Sequence, residues 1–165
     1  MEDAYLKAVR ALCDEKDIVM IVDEVQTGVG RTGWFYSYQS AGITPDVITT
    51  AKGLGGGLPI GVCMVKESLK DIFAPGMNGS TFGGNPVVCA GALEIVKTID
   101  DQDFLDSVKE KGEYFRQKLL EIPGVEFVRG KGLMLGISVK EKTAKDILLA
   151  CAEKGLLVLT AKSLV

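Results

Sequence analysis

The sequence predicts an α/β protein in which part of a mostly parallel sheet is followed by a smaller α+β segment. Residues 18–22 form an unbroken apolar run, which is typical of a strand buried on both faces of a parallel sheet. The 23 residues of the segment 24–46 follow it, and they are long enough for the crossover that parallel strands need. After residue 124 the pattern changes to short strands around one helix, so a second architecture begins there.

The elements before and after the first strand follow from spacing. A helix is predicted over residues 4–16, and the second and third strands over 47–51 and 61–65. Only the eight residues 53–60 lie between Lys52 and the third strand. Because eight residues are too few for a helical crossover, we expect the third strand to be antiparallel to the second.

Two longer helices come next. A short helix is predicted at 67–73, and Asn85 is then placed to cap a helix that has Pro86 at its first position. The apolar stripe of that helix is formed by Val88, Ala92, Ile95, Val96 and Ile99. A second long helix is predicted over 103–121, before the Pro-Gly pair at 123–124 that ends it.

Residues 125–165 predict a ββαβ unit. Strands are expected at 125–129 and 133–139, and a helix begins after Thr143, with Asp146 in the capping-box position. A final strand is expected at 156–160. We therefore expect one domain part over 1–101, a bridging helix over 102–124 and a smaller C-terminal part over 125–165.

Charge and composition exclude several function classes. The net charge is −3, which gives no reason to expect nucleic acid or an anionic membrane as a partner. The sequence has no histidine, so the usual Ser-His-Asp and Cys-His systems and every histidine-ligated metal site are excluded; we predict no metal. Its four cysteines include no CxxC pair, which argues against a zinc knuckle and favours a reducing, cytoplasmic setting.

Two ionisable side chains end the first two strands. Asp23 ends the first and Lys52 ends the second. If these strands are parallel, both groups lie at the carboxyl edge of the sheet, where open α/β sheets bind ligands. The glycine-rich segment 53–57 follows the lysine and leaves room for a flat ligand. On position alone, a salt bridge between the two groups, or two solvated strand ends, is the commoner explanation.

The chemistry open to Lys52 can be narrowed. A phosphate-binding lysine in G-x-x-x-x-G-K-[ST] follows its glycines, whereas here the glycines follow the lysine. The segment 28–33 does match the dinucleotide-binding pattern G-x-G-x-x-G, but five residues separate it from the strand, and no helix start follows it. A dinucleotide site also needs an acidic residue at the end of the second strand, whereas Asp46 begins that strand. The remaining role is a lysine that attacks an aldehyde. Pyridoxal phosphate is such an aldehyde, and it also needs a carboxylate facing its ring nitrogen.

Three motifs carry a resemblance to a known family. Residues 21–28 (IVDEVQTG), 50–61 (TAKGLGGGLPIG) and 80–86 (STFGGNP) resemble, in this order, those of the class III pyridoxal-phosphate-dependent aminotransferases. The similarity runs through essentially all 165 residues, which correspond to less than half of a family member. It implies that 1–101 is part of the cofactor-binding large domain of a fold-type-I transferase, that 125–165 is part of the small domain, and that the full-length protein is a homodimer.

The resemblance also implies a role for each matching residue. Lys52 binds the cofactor covalently and then moves the substrate α-proton, while Asp23 pairs with the ring nitrogen. Val25 packs against the ring, and Gln26 hydrogen-bonds the ring hydroxyl. The remaining implied site residues are Glu24 as a cofactor-binding residue, Thr81 at the phosphate of the cofactor in the other subunit, and Ser80 near the substrate.

The substrates implied by the resemblance are an amino acid and a 2-oxo acid. The segment 53–61 is most similar to family members that transfer an amino group from N-acetylornithine to 2-oxoglutarate in arginine biosynthesis. Ornithine, succinylornithine and 4-aminobutyrate are alternative amino donors, and a non-catalytic binding or assembly module is the alternative outside this class. The family's phosphate loop, stacking aromatic residue and carboxylate-binding arginine are expected outside the chain, so the isolated chain is expected to be an inactive fragment.

Overall fold

The computed structural model describes residues 2–161 and 164–165, and this chain divides into two compact units. One unit extends to Asp106 and the other begins at Ser107. The division falls inside a helix, α3 (Gln102–Leu120), within the segment predicted as the bridging helix. The first unit also contains α1 (Asp3–Lys16), β1 (Ile21–Asp23), β2 (Val47–Thr50), β3 (Val62–Val65) and α2 (Pro86–Ile99), with 3₁₀ turns at Ser37–Ala41, Lys52–Gly55 and Glu67–Ile72.

The first unit is built on a three-stranded sheet in the order β1-β2-β3. β1 and β2 are parallel, and β2 and β3 are antiparallel. The orientation predicted for the third strand from its short connection is therefore confirmed. Since one of the two strand pairs is parallel and the other antiparallel, the described sheet is mixed, whereas the sequence predicted a mostly parallel one.

The first strand is shorter and more open than predicted. β1 begins at Ile21, and the side chains of Ile18 and Val19 before it are 54% and 47% exposed. Ile21 itself is 64% exposed, so the prediction of a strand over 18–22 with both faces buried was wrong. An apolar run buries its side chains only where a second layer covers them, and the described residues leave most of Ile21 uncovered.

A carboxylate joins the three strands at the edge opposite the candidate site. Asp46 Oδ2 accepts hydrogen bonds from Met20 N at 2.8 Å and from Arg10 Nη1 at 2.6 Å, and its Oδ1 accepts one from Lys66 Nζ at 2.8 Å. Met20 precedes β1, Asp46 precedes β2 and Lys66 follows β3. Since the backbone of Lys66 also donates to the carbonyl of Asp46, at 2.9 Å, this residue fixes how the strands align.

The core of this unit lies between the turn at Lys52–Gly55 and α2. Val29, Leu54 and Ala92 are buried together, and Ile95, Val96 and Ile99 of the predicted apolar stripe of α2 pack on this cluster, whereas Val88 is not part of it. The loop approaches the helix so closely that a Cβ on Gly56 would lie 2.8 Å from Ile95 Cδ1, and Gly56 has a φ of +57°. Packing against α2 therefore requires a glycine at this point of the loop.

The predicted start of α2 is confirmed by its capping contacts. The Asn85 side chain accepts hydrogen bonds from the backbone N–H groups of Val87 and Val88, and Pro86 occupies the first turn. These bonds satisfy N–H groups that a helix cannot pair internally. The residues before the helix are thereby held against its N-terminus.

The second unit is a β-hairpin with helices. It contains β4 (Val125–Lys131), β5 (Met134–Val139) and α4 (Ala144–Glu153), and β4 and β5 pair antiparallel. Arg116 on α3 donates to the carbonyls of Val128 and Gly130 at 2.7 and 2.6 Å. The predicted capping box of Thr143 and Asp146 is confirmed.

The final strand of the predicted ββαβ unit is not formed. Residues 156–160 have no strand pairing, and Leu157 and Leu159 are 89% and 80% exposed. The backbone of β5 at Ile137 instead exchanges two hydrogen bonds with Val165, at 2.7 and 3.1 Å. The described part of the chain after residue 124 is therefore ββα. No helix of the described chain has the length and apolar character needed to cross a membrane.

Candidate active site

The two strand-end groups predicted to share one edge do so. In the parallel pairing of β1 with β2, Asp23 lies directly opposite Thr49. Lys52 is three residues beyond Thr49, so their Cα atoms are at most about 11 Å apart even along a fully extended chain. A carboxylate at the end of β1 and a primary amine just beyond the end of β2 therefore lie at the same carboxyl edge of the sheet.

The Asp23 carboxylate is held through one of its two oxygens. Its Oδ1 accepts hydrogen bonds from Val25 N at 2.9 Å and from Thr49 Oγ1 at 3.1 Å. Within the described chain, Oδ2 has no hydrogen-bond partner, and Asp23 is exposed. One oxygen is thus fixed by the protein, and the other is open to a ligand. The contact from Thr49 was missed by the sequence reasoning, because only the strand register reveals it.

Lys52 has a constrained backbone and a free amine. It adopts a φ of +46°, an uncommon conformation for a residue with a side chain and one that clusters at functional sites. The turn it begins is anchored by Leu54, which is buried in the core. Among the described residues no carboxylate forms an ion pair with Lys52, so the salt bridge with Asp23 that its position allowed is not formed.

Glu24 is buried, and its carboxylate is used by the protein itself. It is 1% exposed; Oε1 accepts from Tyr38 N at 2.9 Å, and Oε2 accepts from the Thr27 hydroxyl. The Glu24 carbonyl accepts from Gly28 N, and a Cβ on Gly28 would lie 2.7 Å from that oxygen. Burial raises the pKa of the Tyr38 phenol, and the Glu24 charge raises it further. Glu24 therefore anchors the turn that follows Asp23.

The two residues after Glu24 are more exposed than it is. Val25 is half-buried and Gln26 is exposed, directly after Asp23. Both lie within three residues of Asp23, which carries the open carboxylate oxygen. Their contacts with a cofactor remain predictions.

Ser80 and Thr81 lie in a different place. Both are exposed, and Ser80 lines a cavity of about 460 Å³ at the N-terminus of α2. The cavity is lined by Pro59, Ile60, Gly61, Ser80, Phe82, Gly83, Gly84, Asn85, Val88 and Cys89. Asp23, Lys52 and Thr81 are not among these residues. The structure thus brings Asp23 and Lys52 to one edge and places Ser80 in a separate cavity.

The dinucleotide-binding pattern at 28–33 has no supporting structure. No α-helix begins directly after residue 33, where the next described element is the short 3₁₀ turn at Ser37–Ala41. Asp46 binds Arg10 and Lys66 at the opposite edge of the sheet. In the described part of the chain, no group of three or more Cys, Asp or Glu side chains is arranged to hold a metal ion.

Comparison with known proteins decides the family. The model of the class III aminotransferases matches residues 1–165. The chain belongs to this family. It is 48% identical over 158 residues to the acetylornithine aminotransferase of Caldanaerobacter subterraneus subsp. tengcongensis, with 93% of this chain and 40% of the relative covered.

Solved structures of the same family have the same fold. The ornithine δ-aminotransferase of Plasmodium falciparum aligns with a TM-score of 0.88 at 34% identity, covering 99% of this chain and 45% of that one. The acetylornithine aminotransferase of Elizabethkingia anophelis aligns with a TM-score of 0.86 at 33% identity, covering 99% and 45%. The chain spans about two fifths of the length of the curated relatives it matches.

The residues present fit the cofactor of this family. Class III aminotransferases, the family to which the chain belongs, depend on pyridoxal phosphate. That cofactor needs an amine for its aldehyde and a carboxylate for its ring nitrogen. Lys52 supplies an amine without an ion-pair partner in the described structure, and Asp23 supplies a carboxylate with one open oxygen.

Proposed function

We propose that the protein transfers an amino group from N-acetylornithine to 2-oxoglutarate in arginine biosynthesis, as a cytoplasmic homodimer. The observation that carries the proposal is the parallel register of β1 and β2, which brings Asp23 and Lys52 to one edge. The similarity to acetylornithine aminotransferases at 48% identity supports this amino donor. The four free cysteines suit a reducing compartment.

In this proposal Lys52 and Asp23 carry the chemistry. When bound, pyridoxal phosphate supplies an electron sink for the carbon from which a proton is removed. Lys52 Nζ would hold the cofactor until the substrate amine displaces it, and the freed lysine amine would then take the proton from the carbon that bears the substrate amine. Asp23 Oδ2 faces the ring nitrogen and favours its protonated form, because a carboxylate stabilises a nearby positive charge.

The neighbouring residues have supporting roles in the same proposal. Val25 packs against the ring, and Gln26 donates to the ring hydroxyl. Thr81 contacts the phosphate bound in the other subunit, and Ser80 lies near the substrate. Glu24, which the resemblance implies is a cofactor-binding residue, contributes by anchoring the turn that carries Asp23 to Gln26.

Ornithine is the second candidate donor. The structural similarity to ornithine δ-aminotransferase from Plasmodium falciparum, with a TM-score of 0.88, favours it. Succinylornithine and 4-aminobutyrate are further donors to compare.

The test is an amino-donor comparison with the complete gene product that contains this sequence. Transfer to 2-oxoglutarate is measured as kcat/KM for N-acetylornithine, ornithine, succinylornithine and 4-aminobutyrate. We expect the highest value with N-acetylornithine; a higher value with another donor would replace the proposed substrate.

A matched pair of lysine variants tests the chemistry. Lys52→Ala is expected to abolish transfer, whereas Lys97→Ala on the exposed face of α2 removes only a surface pair with Glu94 and keeps it. Transfer that does not depend on Lys52 would refute the proposed mechanism. A protein that binds no cofactor and transfers no amino group would instead support the non-catalytic module.

A further inference from the structure

A row of three side chains crosses the sheet at the level of the open carboxylate. Asp23, Thr49 and Cys63 are directly opposite one another on β1, β2 and β3. Directly paired residues project from the same face of a sheet. The Thr49 hydroxyl therefore lies beside Asp23 and donates to its Oδ1 at 3.1 Å.

We propose that Thr49 is a positioning residue that holds Asp23 so that Oδ2 faces the cofactor ring nitrogen. This inference rests on the proposed function, since it concerns the residue that pairs with the ring. It assigns a role to a strand residue that lies outside all three sequence motifs. Thr49 itself does not touch the cofactor in this proposal.

The geometry gives Thr49 a specific task. Val25 N and Thr49 Oγ1 approach the same oxygen, from the turn after the strand and from the neighbouring strand. Two donors fixed in different elements define both the position and the rotation of the carboxylate. With Val25 N alone, an exposed aspartate can rotate about its Cα–Cβ bond and move Oδ2 away from a ligand.

The chemistry of the contact between Thr49 and Asp23 supports the same positioning role. The Thr49 hydroxyl can donate a hydrogen bond to a carboxylate oxygen, which the threonine methyl group cannot do. Thr49 is β-branched and lies within a strand paired on both sides, so its own rotamer is restricted. The donor is thus already in place before a ligand arrives.

The experiment separates an action through Asp23 from a structural effect by using two ligands. Binding to the complete gene product is measured for pyridoxal phosphate and for its deaza analogue, in which a carbon replaces the ring nitrogen. Thr49→Val is expected to weaken pyridoxal phosphate binding about fivefold, the effect of one net hydrogen bond. Binding of the analogue, which has no nitrogen for Asp23 to face, is expected to stay within twofold of the unsubstituted protein.

Variants of matched chemistry complete the design. Thr49→Ser keeps the hydroxyl and is expected to restore the affinity for pyridoxal phosphate. Thr50→Val deletes the neighbouring hydroxyl on the other face of β2 and is expected to change the two affinities equally. Thr49→Ala serves as a second hydroxyl-free variant if Thr49→Val does not fold.

Each outcome has one meaning. If Thr49→Val and Thr49→Ala lose equal affinity for both ligands, Thr49 only supports the fold. If they lose no affinity for pyridoxal phosphate, the contact is unimportant. Either result overturns the inference. Failure of the unsubstituted protein to bind either ligand would overturn the proposed function and, with it, this inference.

Discussion

Asp46 offers a direct test of how the strands are aligned. Its carboxylate contacts the residue before β1, the residue after β3 and α1, so it fixes the register that brings Asp23 level with Thr49. Replacing it in Asp46→Asn removes the charge and one of the two strong acceptors. The variant is expected to unfold more readily, with little change in shape, because asparagine is isosteric.

The size of the effect follows from the contacts. A hydrogen bond to a charged group contributes about 1.5–3 kcal/mol, and Asp46 accepts three. Asparagine retains one acceptor, and Lys66 is 37% exposed and regains water when its partner is lost. Arg10, at 12% exposure, loses its more buried carboxylate partner. We therefore expect a loss of about 3 kcal/mol in the free energy of unfolding at neutral pH.

The stability difference between the unsubstituted protein and Asp46→Asn is also expected to change with pH in a defined direction. Lys66, the Met20 N–H and Arg10 hold the pKa of Asp46 well below its usual range. A carboxylate whose pKa is lower in the folded than in the unfolded state stabilises the fold at pH values above its unfolded pKa of about 3.9. This stabilisation is lost as the pH falls toward the pKa of the folded state. The difference between the unsubstituted protein and Asp46→Asn is therefore constant between about pH 5 and 7 and shrinks below about pH 4.

Urea unfolding at several pH values measures the difference. Asp71→Asn is the control, because it removes the same charge from an exposed residue and is expected to cost less than about 0.5 kcal/mol. A loss below about 0.5 kcal/mol in Asp46→Asn, or a loss that does not shrink in acid, would refute the reasoning.

Three further substitutions test individual contacts. Glu24→Gln is expected to lower the free energy of unfolding by about 2 kcal/mol, because its buried charge binds Tyr38 N and the Thr27 hydroxyl; equal urea midpoints would contradict this. Gly56→Ala is expected to cost about 1–2 kcal/mol, since its φ is +57° and the new Cβ meets Ile95; partial recovery in a double variant with Ile95→Val checks the steric cause. Asn85→Ala is expected to cost about 1 kcal/mol in thermal or urea unfolding through loss of the α2 cap, and an unchanged stability would argue against that cap.

Connection lengths and helix-capping residues made part of the fold predictable from the sequence. The lengths of the connections before β2 and β3 predicted a parallel and an antiparallel pair, and the structure confirms both. Asn85 and the Thr143–Asp146 pair predicted helix starts, because these side chains satisfy N–H groups within their own first turn. Such signals need only a few neighbouring residues.

Features that depend on distant residues could not be predicted. The apolar runs at 18–22 and 156–160 both predicted strands. Whether such a run pairs with another strand and is buried depends on which distant elements pack against it. The bond from Thr49 to Asp23 depends on register, and a shift of one residue would turn the threonine to the other face. The motifs therefore identified Asp23 and Lys52, while the support around them became visible only in the structure.

The central claim is that Asp23 and Lys52 act on one ligand at one edge of the sheet. The most direct test is the visible absorbance of pyridoxal phosphate bound to the complete gene product, compared among the unsubstituted protein, Lys52→Ala, Asp23→Asn and the control Lys97→Ala. We expect the band to be lost in Lys52→Ala, altered in its pH dependence in Asp23→Asn and retained in Lys97→Ala. A band that persists unchanged in Lys52→Ala would contradict the account.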